Sequence, residues 1–172
     1  MPTIIRDPAP PAHQPSPAPI SCQHQPNFPR LGFTTFRADN GQILRLCRHC
    51  GGAYPNAASV ESGSGPDFNW ELIRIGDKVA IRGSNGNYLS RCNNCWNGGV
   101  YPDSAFVHLN HPNEPYSQWT PIPQPNGRWA FQTDTGRYLA RCQHCAHTWC
   151  TSNLAFVHVT NPSDPWAQWT LS

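Results

Sequence analysis

The chain has 172 residues, a formal charge of +2, 13% charged residues and Lys78 as its single lysine; the length suits one domain, and no basic tract invites nucleic acid. No apolar run is long enough to span a bilayer, so membrane insertion is not expected, and the start Met1-Pro-Thr-Ile-Ile-Arg-Asp-Pro shows no apolar core of a signal peptide. With 19 prolines, 13 glycines and seven tryptophans, the composition favours turns and short strands over long helices, hence an all-β class. Eight cysteines, an even number, favour an oxidising compartment, so an extracellular or cell-surface location is expected.

Residues 1–30 carry nine prolines (Pro2, Pro8, Pro10, Pro11, Pro15, Pro17, Pro19, Pro26 and Pro29) and few large apolar side chains. That stretch reads as an extended proline-rich arm unable to form a core. Residues 31–172 read as one domain of three repeats, about 33–76, 77–127 and 128–172. Residues 79–120 and 129–170 match almost position for position, and 33–72 is an eroded third copy. The anchors come in threes: Gly41, Gly86 and Gly136; Leu44, Leu89 and Leu139; Ala58, Ala105 and Ala155; Val60, Val107 and Val157; Trp70, Trp119 and Trp169. In the second copy Val79 to Arg82 and Tyr88 to Arg91 flank the turn signal Asn85-Gly86. Ala105 to Leu109 and Gln118 to Thr120 each end in a proline-rich turn. Four strands per copy make twelve, which predicts a single β-trefoil with pseudo-threefold symmetry, starting near Phe33 and closing at Trp169 to Leu171. Leu89, Ala105, Val107, Trp119 and their counterparts are the predicted core.

Gly86-Asn-Tyr-Leu-Ser and Gly136-Arg-Tyr-Leu-Ala, followed by Trp119-Thr120 and Trp169-Thr170, resemble the fascin-type β-trefoil repeat and are similar to agglutinin trefoils of the amaranthin type. The resemblance covers about residues 33–172. It implies the fold, and it leaves the function between actin bundling and glycan binding. Fascins chain four trefoils and this sequence holds one. Gln118 and Gln168 stand directly before their tryptophans rather than in the ricin-type Gln-x-Trp pattern, so ricin-type sugar contacts do not transfer.

Cys47-Arg-His-Cys50, Cys92-Asn-Asn-Cys95 and Cys142-Gln-His-Cys145 fall just past the second strand of each copy. Zinc needs four thiolate or imidazole ligands around one ion, and placement on three separate hairpins works against such convergence. A redox dithiol needs an activated first cysteine, and no helix N-terminus is legible beside any pair. Haem attachment needs histidine after the second cysteine, where Gly51, Trp96 and Ala146 stand. The favoured reading is three local disulfides, each pinning its own hairpin, with no metal. The leftovers, Cys22 in the arm and Cys150 in a loop, are then natural partners for a fourth.

No Ser/His/Asp set, carboxylate pair or phosphate loop is present, so neither enzyme activity nor a cofactor is expected. The loops instead supply aromatic and amide groups: Tyr54, Trp96, Tyr101, Tyr116, Trp149 and Trp166 beside Asn93, Asn94, Asn97, Asp103 and Asn153. Aromatic faces pack under sugar C–H groups while amides and arginine take hydroxyls, although loop aromatics also serve as lids on a core. The expected role is a non-enzymatic, lectin-like module with a glycan ligand. Its leading contacts are Arg91, Trp96, Tyr101, Arg141 and Trp149, with Trp96 facing solvent. Copy one has Leu46, Ile43 and Glu61 where the others have Arg91 and Arg141, Tyr88 and Tyr138, and His108 and His158, so two working sites are expected. The competing reading is a structural protein, a coat or filament subunit that self-assembles into a homo-oligomer through its arm.

Overall fold

The computed structural model describes residues 27–148 and 150–172. Most of the arm, Cys22 and Trp149 lie outside the described residues, and so do the expectations of an arm-mediated assembly and of a Cys22–Cys150 bond.

The first copy contributes β1 (Gly32–Thr34), β2 (Phe36–Arg37), β3 (Ile43–Arg48), β4 (Asn56–Glu61) and β5 (Trp70–Ile75). The second contributes β6 (Lys78–Arg82), β7 (Tyr88–Asn93), β8 (Asp103–Leu109) and β9 (Thr120–Pro123). The third contributes β10 (Trp129–Gln132), β11 (Tyr138–Gln143), β12 (Asn153–Val159) and β13 (Thr170–Leu171). Among the described residues there are 13 strands rather than the expected twelve because one strand is broken at Thr35. There the chain changes partner: β1 pairs with β5, β2 pairs with β13, and the Thr35 N–H donates to the Ser172 carbonyl at 2.9 Å.

The barrel closes on itself, which leaves it no free edge. β5 pairs with β6 and β9 with β10, while Val79 with Trp119 and Trp129 with Trp169 exchange backbone bonds of 2.8 to 2.9 Å to complete the circle. The cap is the other half of the trefoil. Hairpins β3–β4, β7–β8 and β11–β12 lean together, with Ala57 opposite Phe106, Ser104 opposite Phe156 and Leu154 opposite Ser59. A glycine in the left-handed region turns the chain into each hairpin (Gly41 φ 86°, Gly86 φ 84°, Gly136 φ 84°), a conformation open to glycine at little cost.

The predicted core residues fill the barrel, and three tryptophans join it to the cap. Single helical turns at Pro66–Phe68, Pro115–Ser117 and Pro165–Ala167, each opened by a proline whose fixed φ suits that position, precede Trp70, Trp119 and Trp169. All three rings are 0% exposed. Their indole N–H groups donate to the carbonyls of Leu44, Leu89 and Leu139 at 3.0, 2.9 and 3.0 Å. A bare N–H or carbonyl at that depth is costly, so each bond fixes where its hairpin stands. Trp119→Phe is therefore expected to lower unfolding free energy by about 2–4 kcal/mol, from the unpaired Leu89 carbonyl and the lost volume. The denaturant midpoint reads this, and an unchanged midpoint would contradict the role given to the bond.

Candidate functional site

Each hairpin ends in its cysteine pair, and the residue before the second cysteine adopts the left-handed conformation (His49 φ 57°, Asn94 φ 56°, His144 φ 59°). Histidine and asparagine tolerate that region better than most residues. Their N–H groups donate to Pro55, Pro102 and Ser152 carbonyls at 2.6, 2.6 and 2.7 Å, closing the same turn three times. The turn brings each pair to a Cα–Cα distance of 5.7 Å, and the three local disulfides Cys47–Cys50, Cys92–Cys95 and Cys142–Cys145 are formed. Such bonds are consistent with an oxidising, extracellular setting. The pairs sit on separate hairpins, yet all six cysteines are buried in one apolar layer with Phe106, Phe156 and Leu154.

The loops that follow the pairs form a ring. Ala53 N–H donates to the Cys95 carbonyl at 2.8 Å, Val100 N–H to Cys145 at 2.7 Å, and the Thr148 hydroxyl to Cys50 at 3.0 Å, so each loop lies over the next copy. At Gly52 (φ 88°) a Cβ would stand 2.5 Å from the Phe106 ring, so this crossing needs glycine. The same crossing covers Trp96, which is 7% exposed with its ring centroid 5.3 Å from that of Phe106. The expectation that Trp96 faces solvent is thereby corrected: the neighbouring Gly51 backbone roofs the indole, and the ring is a lid on the lower core.

Arg91 and Arg141 are engaged across copies. Arg141 holds the Asp39 carboxylate with two bonds of 2.8 and 3.0 Å and reaches Asn153 at 3.0 Å. Arg91 does the same to Asp134 at 2.8 and 2.9 Å, with Asp103 at 3.2 Å. Both side chains are mostly covered, 16% and 12% exposed for Arg91 and Arg141. Hydrogen bonding from Arg91 holds the Asp134 carboxyl below its ordinary range. In copy one, where Leu46 occupies the arginine position, Arg48 takes over with Asp67 and Ser84. Sequence reasoning missed these clasps, although Asp39, Ser84 and Asp134 occupy one repeat position in the hairpin turns.

Two of the expected contacts meet in a cleft of about 330 Å³ between the second-copy loop and the third hairpin. Tyr101 and Arg141 border it together with Val100, Gln143, His144 and Trp166, and His158 lies beneath Tyr101. The exposed fraction is 40% for Tyr101, 49% for Trp166 and 64% for Val100. Asp164 positions Trp166 by accepting its backbone N–H at 3.1 Å. Tyr101 stacks on His158 with ring centroids 4.6 Å apart, and Tyr54 stacks on His108 at 4.5 Å in the preceding copy, where Arg91 lies 5.8 Å from the Tyr116 ring. Arg91 therefore belongs to the second-copy counterpart of this face. His158 and Trp166 were not among the leading expected contacts; the signal was the shared His108 and His158 position beside a loop aromatic. A larger hollow of about 660 Å³ opens where residues 29–31 meet Trp129 and Leu171.

Burial pushes the His158 imidazole down to about 4; Arg137 adds to this and Asp164 opposes it. Burial likewise lowers His108, and the Nδ1 atoms of both histidines are buried without a partner among the described residues. Between pH 6.5 and about 4 the unfolded chain binds the His158 proton and the folded one does not. This contribution is therefore complete above pH 6.5 and is lost as pH falls through that window, whereas Asp134 and Asp67, held below their ordinary 3.8, lose theirs at lower pH. His158→Phe, which keeps a ring under Tyr101, should flatten the fall in denaturant midpoint between pH 6.5 and 4. An identical slope in both proteins would contradict the assignment.

No family model matches the chain, and no curated protein matches it. Solved structures do. A designed threefold-symmetric protein, ThreeFoil, superposes with a TM-score of 0.63 at 14% identity over 81% of this chain and 97% of its own. A Polyporus squamosus lectin bound to the epitope Neu5Aca2-6Galb1-4GlcNAc gives 0.60 at 14% identity, over 84% of this chain and 49% of that one. SeviL bound to asialo-GM1 saccharide gives 0.54 at 13% identity, over 83% and 98%. At these identities the likeness shows the fold alone, a β-trefoil, and the fascin-type and amaranthin-type resemblance continues to rest on the sequence motifs alone.

Proposed function

We propose that the protein is a non-enzymatic glycan-binding module, and that its principal site is the cleft bordered by Tyr101, Trp166, Gln143 and His144. The observation that carries this reading is two half-exposed aromatic rings facing a shallow cleft next to amide and imidazole groups. Such rings pack against sugar C–H faces, and the polar side chains replace water at the hydroxyls. Arg141 remains on Asp39 and Asn153, so it serves as a rigid wall that keeps two of its five N–H donors. Two of the trefoils that superpose on this chain were solved with saccharides, which supports the class of ligand.

The overlap of the first and second copies offers a related face in Tyr54, His108, Tyr116 and Arg91. In copy one the counterpart lacks the ring: Asp67 stands at the Tyr116 and Trp166 position and is held by Arg48, while Glu61, at the histidine position, pairs with Arg45 at 3.1 Å. Two shallow sites, each of about millimolar affinity, gain on a multivalent surface through effective concentration.

A glycan array with matched unfolding curves tests the proposal. Trp166→Ala and Tyr101→Ala are each expected to cut array binding at least about tenfold, while the unfolding free energy changes by less than about 0.5 kcal/mol for these exposed rings. Trp96→Ala is the contrasting variant, expected to cost about 3 kcal/mol of stability because it empties a packed site. Full array binding by both Trp166→Ala and Tyr101→Ala would overturn the site.

A further inference from the structure

Cys150 stands apart from the three pairs. It is exposed and has no disulfide partner among the described residues, yet its sulfur and those of Cys47 and Cys50 all lie within 4.8 Å of one another. The loop that carries it is the one that closes the ring over the first hairpin through the Thr148 hydroxyl and the Cys50 carbonyl, 3.0 Å apart. The Cys92–Cys95 and Cys142–Cys145 bonds are in no such three-sulfur group among the described residues. Zinc would need these sulfurs as thiolates, and two of them are joined to each other. A thiol set beside a disulfide is instead the starting arrangement for exchange.

We infer that Cys150 and the Cys47–Cys50 disulfide form an intramolecular exchange site that moves the free thiol from the exposed loop into the core. Cys150 gives its thiol proton to solvent, and the thiolate attacks Cys50 Sγ. The Cys50–Cys150 bond forms as the Cys47–Cys50 bond breaks, and Cys47 leaves as a thiolate that takes up a proton. One disulfide replaces another, so no oxidant or reductant is consumed. The direction has a physical consequence, because Cys47 is 1% exposed and Cys150 is exposed. Exchange hides the reactive thiol where alkylating and oxidising agents reach it poorly. It also ties the third loop covalently to the first hairpin, at a crossing that among the described residues rests on a side-chain hydroxyl, whereas the other two rest on a backbone N–H.

The test is peptide mapping of the full oxidised chain, without reduction, after unfolding in acid and alkylation in denaturant. Trypsin cuts after Arg48 and so places Cys47 and Cys50 on different peptides. The expected result is label on Cys47 together with a Cys50–Cys150 link, both absent in Cys150→Ser. In Cys47→Ser, incubated in a glutathione buffer, Cys50 should pair with Cys150, whereas in the matched Cys92→Ser variant Cys95 should stay available to label. Label confined to Cys150 in the native chain, or a quantitative Cys22–Cys150 bond, would overturn the inference. So would Cys50 and Cys150 both remaining unpaired in a Cys47→Ser protein that keeps the native near-ultraviolet circular dichroism.

Discussion

The indole hydrogen bond, made three times, is the constraint on which the structure depends. A trefoil must hold three hairpins over the mouth of a barrel, and hydrophobic contact between the layers is non-directional. Trp70, Trp119 and Trp169 supply the missing direction. Each large ring fills the barrel, and its N–H must find an acceptor at full burial, which the leucine carbonyl at the root of the adjacent hairpin provides. Once those three points are fixed, the hairpins lean on one another and the cysteine turns meet in one layer.

A second set of interactions runs around the threefold axis from one copy to the next. Arginines of the second strand grip the hairpin turn of the following copy, and the loops after the cysteine pairs donate to the following pair. The partly buried, two-pronged geometry makes these ion pairs stronger than ordinary surface pairs. The proposed glycan site sits on the same overlap. Because each loop crosses its neighbour, Tyr101 of the second copy reaches His158 and Trp166 of the third, and the cleft exists only between copies.

The repeat made the fold legible. Glycine, leucine and tryptophan recurring at matched positions marked turns, hairpin roots and core, and the local disulfides followed from the identical placement of the pairs. What the sequence did not disclose are contacts between copies. Trp96 looked exposed because its own loop is polar, and the roof over it is Gly51 of another copy. Arg91 and Arg141 looked available because their acids, Asp134 and Asp39, lie 43 and 102 residues away. The break at Thr35 likewise arises from pairing with the far end of the chain at Ser172. Of the five expected contacts, Tyr101 and Arg141 meet in one cleft, Arg91 lies on the preceding face, Trp96 is buried, and Trp149 is outside the described residues.

The central claim is that glycan recognition occurs at the overlap of the second and third copies rather than at the open end of the barrel. Titration of the protein with an array-selected oligosaccharide, followed by proton and carbon NMR of the aromatic rings, tests it directly. The account predicts that the Trp166 and Tyr101 ring signals move with the sugar concentration while those of Phe33 and Trp129 stay in place. Movement of Phe33 and Trp129 with Trp166 and Tyr101 unmoved would contradict it.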